Sequence, residues 1–234
     1  MKNKDNIEKF IDYFNEEIKK VAVVENHLYK KVLFACMLDA LGIARFPKHK
    51  TDERMISFLL NCTTCTDLNR VSLVQANLIL NHVLTAHEKA SSQLQKMILQ
   101  EISKMTGSRV YRGNEVDPFY NQIEKIATPK ERSVLRLTRY VNLFYAYRNE
   151  MVHGFKKPGY GTEMSNEDSK PYYHGLINHP WQLVFPVLFF QNLCEEALKG
   201  LRKYLENNDI NPYDQYEFGH MWVKSTRLEK LRNT

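Results

Sequence analysis

Glycine and proline are scarce in this chain. Of 234 residues only 9 are Gly and 8 are Pro, too few for an all-β protein built on many tight turns. Long apolar runs are missing as well. No stretch of 18 apolar residues occurs, so no segment is expected to span a membrane. The best candidate, 181–190, is short and interrupted by Gln182 and Pro186. Cysteine is limited to Cys36, Cys62, Cys65 and Cys194. The first twenty residues are charged throughout and do not read as a secretory leader. Reduced thiols and a cytoplasmic location are therefore expected. There is no glycine-rich phosphate loop, no nucleophile elbow and no carboxylate pair of glycosidase type, which sets those chemistries aside.

What is present favours helices. Hydrophobic residues make up 43% and aromatics 12%, enough for a sizeable core, and Leu, Lys, Glu, Ala and Ile are common. The length suits one domain, or a domain with extensions. We divide it into a helical domain over 1–206 and a C-terminal extension over 207–234.

Helical periodicity is clear in several places. Ile7, Phe10, Ile11, Phe14 and Ile18 recur at spacings of three and four, predicting a helix over 4–20. A second helix over 24–44 is apolar on most sides, and Arg45-Phe46-Pro47 ends it. Asp39 lies within it, and a buried carboxylate needs a cationic partner. Thr51 or Asp52 starts a third helix reaching Cys62. A long fourth helix is expected over 72–105, with a possible break at Ala90-Ser91-Ser92, and a short one over 119–126. Thr128-Pro129-Lys130-Glu131 is a capping box with proline at the first helical position. The helix it starts is expected to run to His153, with Gly154 as left-handed terminator. A long loop with an aromatic segment, Pro171-Tyr172-Tyr173-His174, should follow over 156–180. A last helix is expected over 181–205.

The net charge is +6, and its location is informative. Between Pro129 and Lys157 stand Lys130, Arg132, Arg136, Arg139, Arg148, Lys156 and Lys157 against Glu131 and Glu150. Seven cations against two acids leave +5, most of the chain's excess. Such a segment suits a polyanionic partner or a solvated helix face. Within it, Val134, Leu137, Val141, Phe144, Arg148, Met151 and Phe155 form an apolar stripe at helical spacing that contains Arg148. An arginine in that seam must be paired, or must face a ligand or a second chain.

Tyr147-Arg148-Asn149-Glu150-Met151-Val152-His153-Gly154 holds the residue types that handle a phosphodiester. Histidine serves as a general acid or base near neutrality. Arginine holds phosphate by a bidentate contact and stabilises its developing charge. RNA supplies its own nucleophile, the 2′-hydroxyl. An Arg-to-His interval of five residues rotates the two side chains apart by about 140° in an ideal helix. Either the last turn unwinds at Gly154, or the helix pairs with its copy across a two-fold axis. Asn149 and His153, at i and i+4, share one face. Arg and His in a last turn are also ordinary helix punctuation, favoured by the dipole.

Arg148-Asn149-x-x-x-His153 resembles the R-x4-6-H motif of HEPN domains (higher eukaryote and prokaryote nucleotide-binding). A common variant of that motif places a polar residue, often Asn, directly after the Arg. Tyr145-Ala146-Tyr147 before it and Gly154-Phe155 after it are also similar to that family. The resemblance runs broadly over 24–205, while its specific motif is six residues long. It implies an all-α, HEPN-like helical bundle with a long loop after the motif helix. It also implies homodimerisation through the motif helices and metal-independent endoribonuclease activity on RNA, without cofactor. Arg148 and His153 would be the catalytic pair, with Asn149 orienting the histidine. Such proteins often act as toxins or in antiviral defence, which implies an antitoxin or regulatory protein as partner. Other members lack nuclease activity and act as binding or scaffold modules.

Two lesser features remain. Cys62-Thr63-Thr64-Cys65 has zinc-ligand spacing, but His82 and His87 are poorly spaced to complete a site. We expect no metal there and read it as a helix end. Tyr172, Tyr173, His174, His179 and Trp181 could stack bases, although a loop packed back on the bundle is the simpler expectation. Cys36 and Cys194 are expected in the core.

Overall fold

The computed structural model describes residues 2–107, 110–156, 168–175, 181–214 and 216. Among them the protein is an all-α bundle of eleven helices with one small sheet. The helices are α1 (Lys4–Ala22), α2 (His27–Arg45), α3 (Thr51–Cys62), α4 (Leu73–Val83), α5 (Ala86–Ser91), α6 (Gln93–Ser103), α7 (Gly113–Val116), α8 (Tyr120–Ile123), α9 (Pro129–Leu137), α10 (Tyr140–Gly154) and α11 (Val187–Asn208). The strands are β1 (Val110–Arg112), β2 (Tyr172–His174) and β3 (Gln182–Val184), antiparallel in the order β1-β2-β3.

The main core forms where α11 crosses α1, α2 and α3, and where α10 lies against α2 and α3. The expected stripe of α1 buries Ile7, Phe10, Ile11, Phe14 and Ile18. A second core joins α4, α6 and α9 through Leu73, Leu80, Leu94, Ile98, Val134 and Leu135. From the C-terminal extension, Tyr213 and Tyr216 meet Phe10 edge-on at 5.8 and 5.5 Å. The Asp209 carboxylate accepts from the Lys2 and Asn3 backbone N–H groups. Residues 217–234, with most of the 156–180 loop, lie outside the described residues.

Several expected elements divide, for local reasons. The helix expected over 72–105 is three. Thr85 makes a capping box with Glu88, and Ser92 accepts from Gln95 N–H, so two capping residues restart the chain. The helix expected over 128–153 is two, parted at Thr138 and Arg139. The chain there bridges to a distant segment: Ser72 N–H donates to Thr138 O, and Tyr140 N–H donates to Arg70 O. The Thr138 hydroxyl bonds back to Val134 O. This break resets the helical phase, so Leu137 is 60% exposed while Val134, Val141, Phe144, Arg148 and Met151 are buried.

The end of α10 also differs. Gly154 is its last helical residue and Phe155 takes the left-handed conformation, φ 50°. The N–H groups of Phe155 and Lys156 both reach Glu150 O, closing the turn one residue later than expected and leaving Phe155 61% exposed. The last helix begins at Val187, because proline at 186 holds the preceding residue extended; 182–184 is strand β3. The aromatic segment is strand β2, with Tyr172 and Tyr173 fully buried. Cys194 is in the core, but Cys36 is exposed, on the outward side of α2.

A buried carboxylate pins the sheet to the bundle. Asp117 accepts from the hydroxyls of Tyr140 and Tyr173, each at 2.5 Å, and from Leu73 N–H at 2.9 Å. One acid thus joins the start of α10, strand β2 and the start of α4. Burial pushes its carboxyl up to about 7, against the pull of those donors. The native state therefore holds this proton more tightly than the unfolded chain, and the resulting stability is lost as pH rises through about 7. Asp117→Asn should be less stable than the parent, and its deficit should be larger at pH 5 than at pH 8 in chemical denaturation. A deficit that stays constant or widens toward pH 8 would contradict this linkage.

Candidate active site

Helix α10 carries the motif. Its buried face presents Tyr140, Val141, Phe144, Arg148 and Met151 to the core. Tyr140 anchors the first turn through Asp117. At the other end the Arg148 residue is 6% exposed and meets Asp39 of α2, whose side chain is 20% exposed. Arg148 Nη2 donates to Asp39 Oδ2. The cation required by Asp39 and the anion required by Arg148 are each other.

The other edge of the guanidinium faces the end of the helix. Arg148 Nη1 donates to Asn149 Oδ1 at 2.7 Å and lies 3.2 Å from His153 Nε2. Arg148 and His153 therefore meet within one chain, and α10 stays helical through Gly154. Neither an unwound turn nor a second chain is needed to bring them together. The guanidinium reaches around the helix end on its long stem, and this spans the rotation between the two Cα positions. Asn149 contacts Arg148; no hydrogen bond links it to His153 among the described residues.

A guanidinium only donates, so His153 Nε2 is the acceptor in this contact. That requires a neutral imidazole with its proton on Nδ1. Burial lowers the pKa of the Arg148 guanidinium, yet arginine stays charged at neutral pH. His153 is exposed. The arrangement runs from a partly buried acid, through a buried cation, to an imidazole at the surface. Nη1 spends both its hydrogens here, on Asn149 and His153, so Nε2 becomes a base toward a hydroxyl, and Nη1 a donor to an anion, when their contact opens. Arg148 Nε is buried and has no hydrogen-bond partner among the described residues.

The remaining cations of the segment are spread out. Lys130 pairs with Glu88, Arg136 Nε donates to Tyr120 Oη, and the Arg139 guanidinium lies 5.8 Å from the Tyr120 ring centroid. Arg139 precedes α10, about 21 Å along the axis from His153. Lys156 reaches Glu150 at 3.5 Å, and Lys157 lies outside the described residues. Lys130, Arg132 and Arg136 thus stand on α9 and Arg139 just before α10, while Lys156 alone of these described cations adjoins the end that carries the Arg148–His153 contact.

Cys62 and Cys65 are free thiols, each pushed up to about 11 by burial. Among the described residues no group of three His, Cys, Asp or Glu side chains is placed to hold a metal ion. Tyr172 and Tyr173 are core residues rather than a stacking surface, and Trp181 packs edge-on to Tyr111 at 5.2 Å; His179 lies outside the described residues. Sequence reasoning missed Asp117 and its link to Tyr140 and Tyr173, because nothing local marks an acid that gathers partners from three distant segments.

Comparison with known protein families, with characterised proteins and with solved structures finds no match to this chain.

Removing Arg148 should leave Asp39 facing the core unpaired. Arg148→Ala is expected to cost about 3 kcal/mol, the lower end for breaking a buried pair, because Asp39 keeps some contact with water. Denaturant titration measures it. A loss below about 0.5 kcal/mol would mean that the pair carries little of the fold.

Proposed function

We propose that this chain is a metal-independent endoribonuclease of HEPN type, with His153 as general acid/base and Arg148 as the adjacent cation. One observation carries the reading: an exposed histidine whose Nε2 lies 3.2 Å from a buried, charge-paired arginine at a helix end. Exposure lets a large substrate reach the imidazole. The Arg148 contact orients the ring toward the end of the helix.

The chemistry follows from RNA itself. As Arg148 Nη1 turns from His153 to the phosphate, the freed Nε2 lone pair removes the proton of a 2′-hydroxyl, and that oxygen attacks the adjacent phosphorus. The bond from phosphorus to the 5′-oxygen breaks, leaving a 2′,3′-cyclic phosphate and a 5′-hydroxyl. The departing oxygen takes a proton from a second acid, either a solvent molecule or the His153 of a second copy. Negative charge on the phosphoryl oxygens rises in the transition state, and the Arg148 guanidinium beside His153 offsets it. Asn149 holds the Nη1 edge in place. We further propose a homodimer through α10, a cytoplasmic setting, and a role as a toxin or defence effector restrained by an antitoxin or regulatory protein.

A second reading is favoured by the burial of Arg148 and its pair with Asp39 inside one chain. There Arg148 is a structural clamp between α2 and α10, and the protein is a catalytically silent helical module that binds nucleic acid or a protein. It predicts salt-sensitive RNA binding without fragments.

The two readings separate in a cleavage assay on single-stranded RNA with chelator present. The nuclease reading predicts cyclic-phosphate products, and a loss of about 10²–10⁴ in rate for His153→Ala with the melting temperature unchanged. An equal rate in parent and His153→Ala would sink the assignment, as would RNA binding with no products.

A further inference from the structure

A second feature lies on the same helix. Leu143, Ala146, Tyr147 and Glu150 of α10 line one side of an open cavity of about 220 Å³, lined on the other by Gln75 of α4, Gln182 and Leu183 of β3, and Phe185. Its size is below the usual range for drug-sized ligands and suits one flat ring system. The floor is apolar and aromatic: the Tyr147 and Phe185 rings meet edge-on at 5.4 Å. The rim is polar, with one carboxylate and two amides.

The position of this cavity links it to His153. The row of Leu143, Tyr147 and Glu150 continues at spacings of three and four to His153 and Gly154. Glu150 precedes His153 by three residues, about 4.5 Å along the axis. Gly154 ends the row without a side chain, and Lys156 folds across it to reach Glu150. Both members of that pair are largely exposed, so the pair is weak and open to competition.

We propose that this cavity is a base-recognition subsite for guanine, which selects the nucleotide adjoining the bond that His153 cuts. This rests on the ribonuclease reading for the cut, while the recognition itself does not. An ionised carboxylate only accepts hydrogen bonds, and through two oxygens. Guanine presents two neighbouring donors, N1–H and N2–H, on an edge that is free in single-stranded RNA. Adenine and cytosine each offer a single exocyclic amine there, and uracil a single ring N–H. The amides of Gln75 and Gln182 have donors for O6 and N7. Tyr147 and Phe185 in the lining give aromatic contact, which every base makes and which adds affinity without selectivity. A base seated against Glu150 brings its own sugar and phosphate to the next turn of α10, where His153 stands.

The test uses the full chain and free nucleotides, so that it reads recognition without cleavage. Binding of guanosine 5′-monophosphate, measured by calorimetry, should exceed that of the adenosine, cytidine and uridine monophosphates by at least about tenfold, the worth of one charge-assisted hydrogen bond. Glu150→Gln should remove that preference. Glu150 is exposed, so the variant keeps the fold. Gln182→Ala should weaken guanosine monophosphate binding without restoring any other base. Equal binding of the four nucleotides would overturn the inference, as would guanosine monophosphate binding unchanged in Glu150→Gln. RNA cutting with no guanine preference would overturn the subsite and leave the nuclease reading intact. Guanine-selective binding that depends on Glu150, in a protein that cuts no RNA, would support the subsite and remove the nuclease.

Discussion

The ion pair of Asp39 with Arg148 governs the end of the molecule where chemistry is proposed. It ties α2 to α10 across the apolar seam and so sets the place of the motif helix. It also decides how the guanidinium is shared. With Nη2 on Asp39, only the Nη1 edge is left to face Asn149 and His153. A charge this deep in a bundle is tolerated because its partner is present and the outer edge is hydrogen-bonded. Remove Asp39, and the same arginine would have reason to turn toward water and away from the histidine.

The opposite end of α10 is held by a different polar device. Asp117 collects the Tyr140 and Tyr173 hydroxyls and the Leu73 amide, so the helix start, the sheet and α4 share one acid. Between the two anchors lies an apolar face of Val141, Phe144 and Met151. Helix α10 is therefore fixed at both ends by carboxylates from other segments and in the middle by packing. A helix held in this way keeps its exposed row steady, which is the row that carries Leu143, Tyr147, Glu150 and His153. Rigid support of that kind is what a site of defined geometry requires.

Much of this was legible in the residue order. Asp39 in an apolar helix demanded a cation, and Arg148 in an apolar stripe demanded an anion. Each half of the pair was visible, but 109 residues part them, and no local pattern says which charge meets which. The helical periods of α1, α2 and α3 were plain because each buries a continuous stripe. The breaks at Thr138 and Arg139 were not, since they arise from bridges to Arg70 and Ser72 far along the chain. Strands of three residues carry too little alternation to be read, and Tyr172 and Tyr173 looked like loop aromatics for that reason. The contact of Arg148 with His153 also escaped an argument based on Cα angles, because a long guanidinium spans a rotation that backbone geometry alone treats as a separation.

The central claim is that Arg148 Nη1 donates to His153 Nε2 and so orients the ring. It is tested most directly by the ¹⁵N resonances of the His153 ring in the intact protein near neutral pH. The account predicts one neutral tautomer, protonated on Nδ1 and unprotonated on Nε2. A ring protonated on Nε2, or the averaged mixture of a free surface histidine, would contradict it.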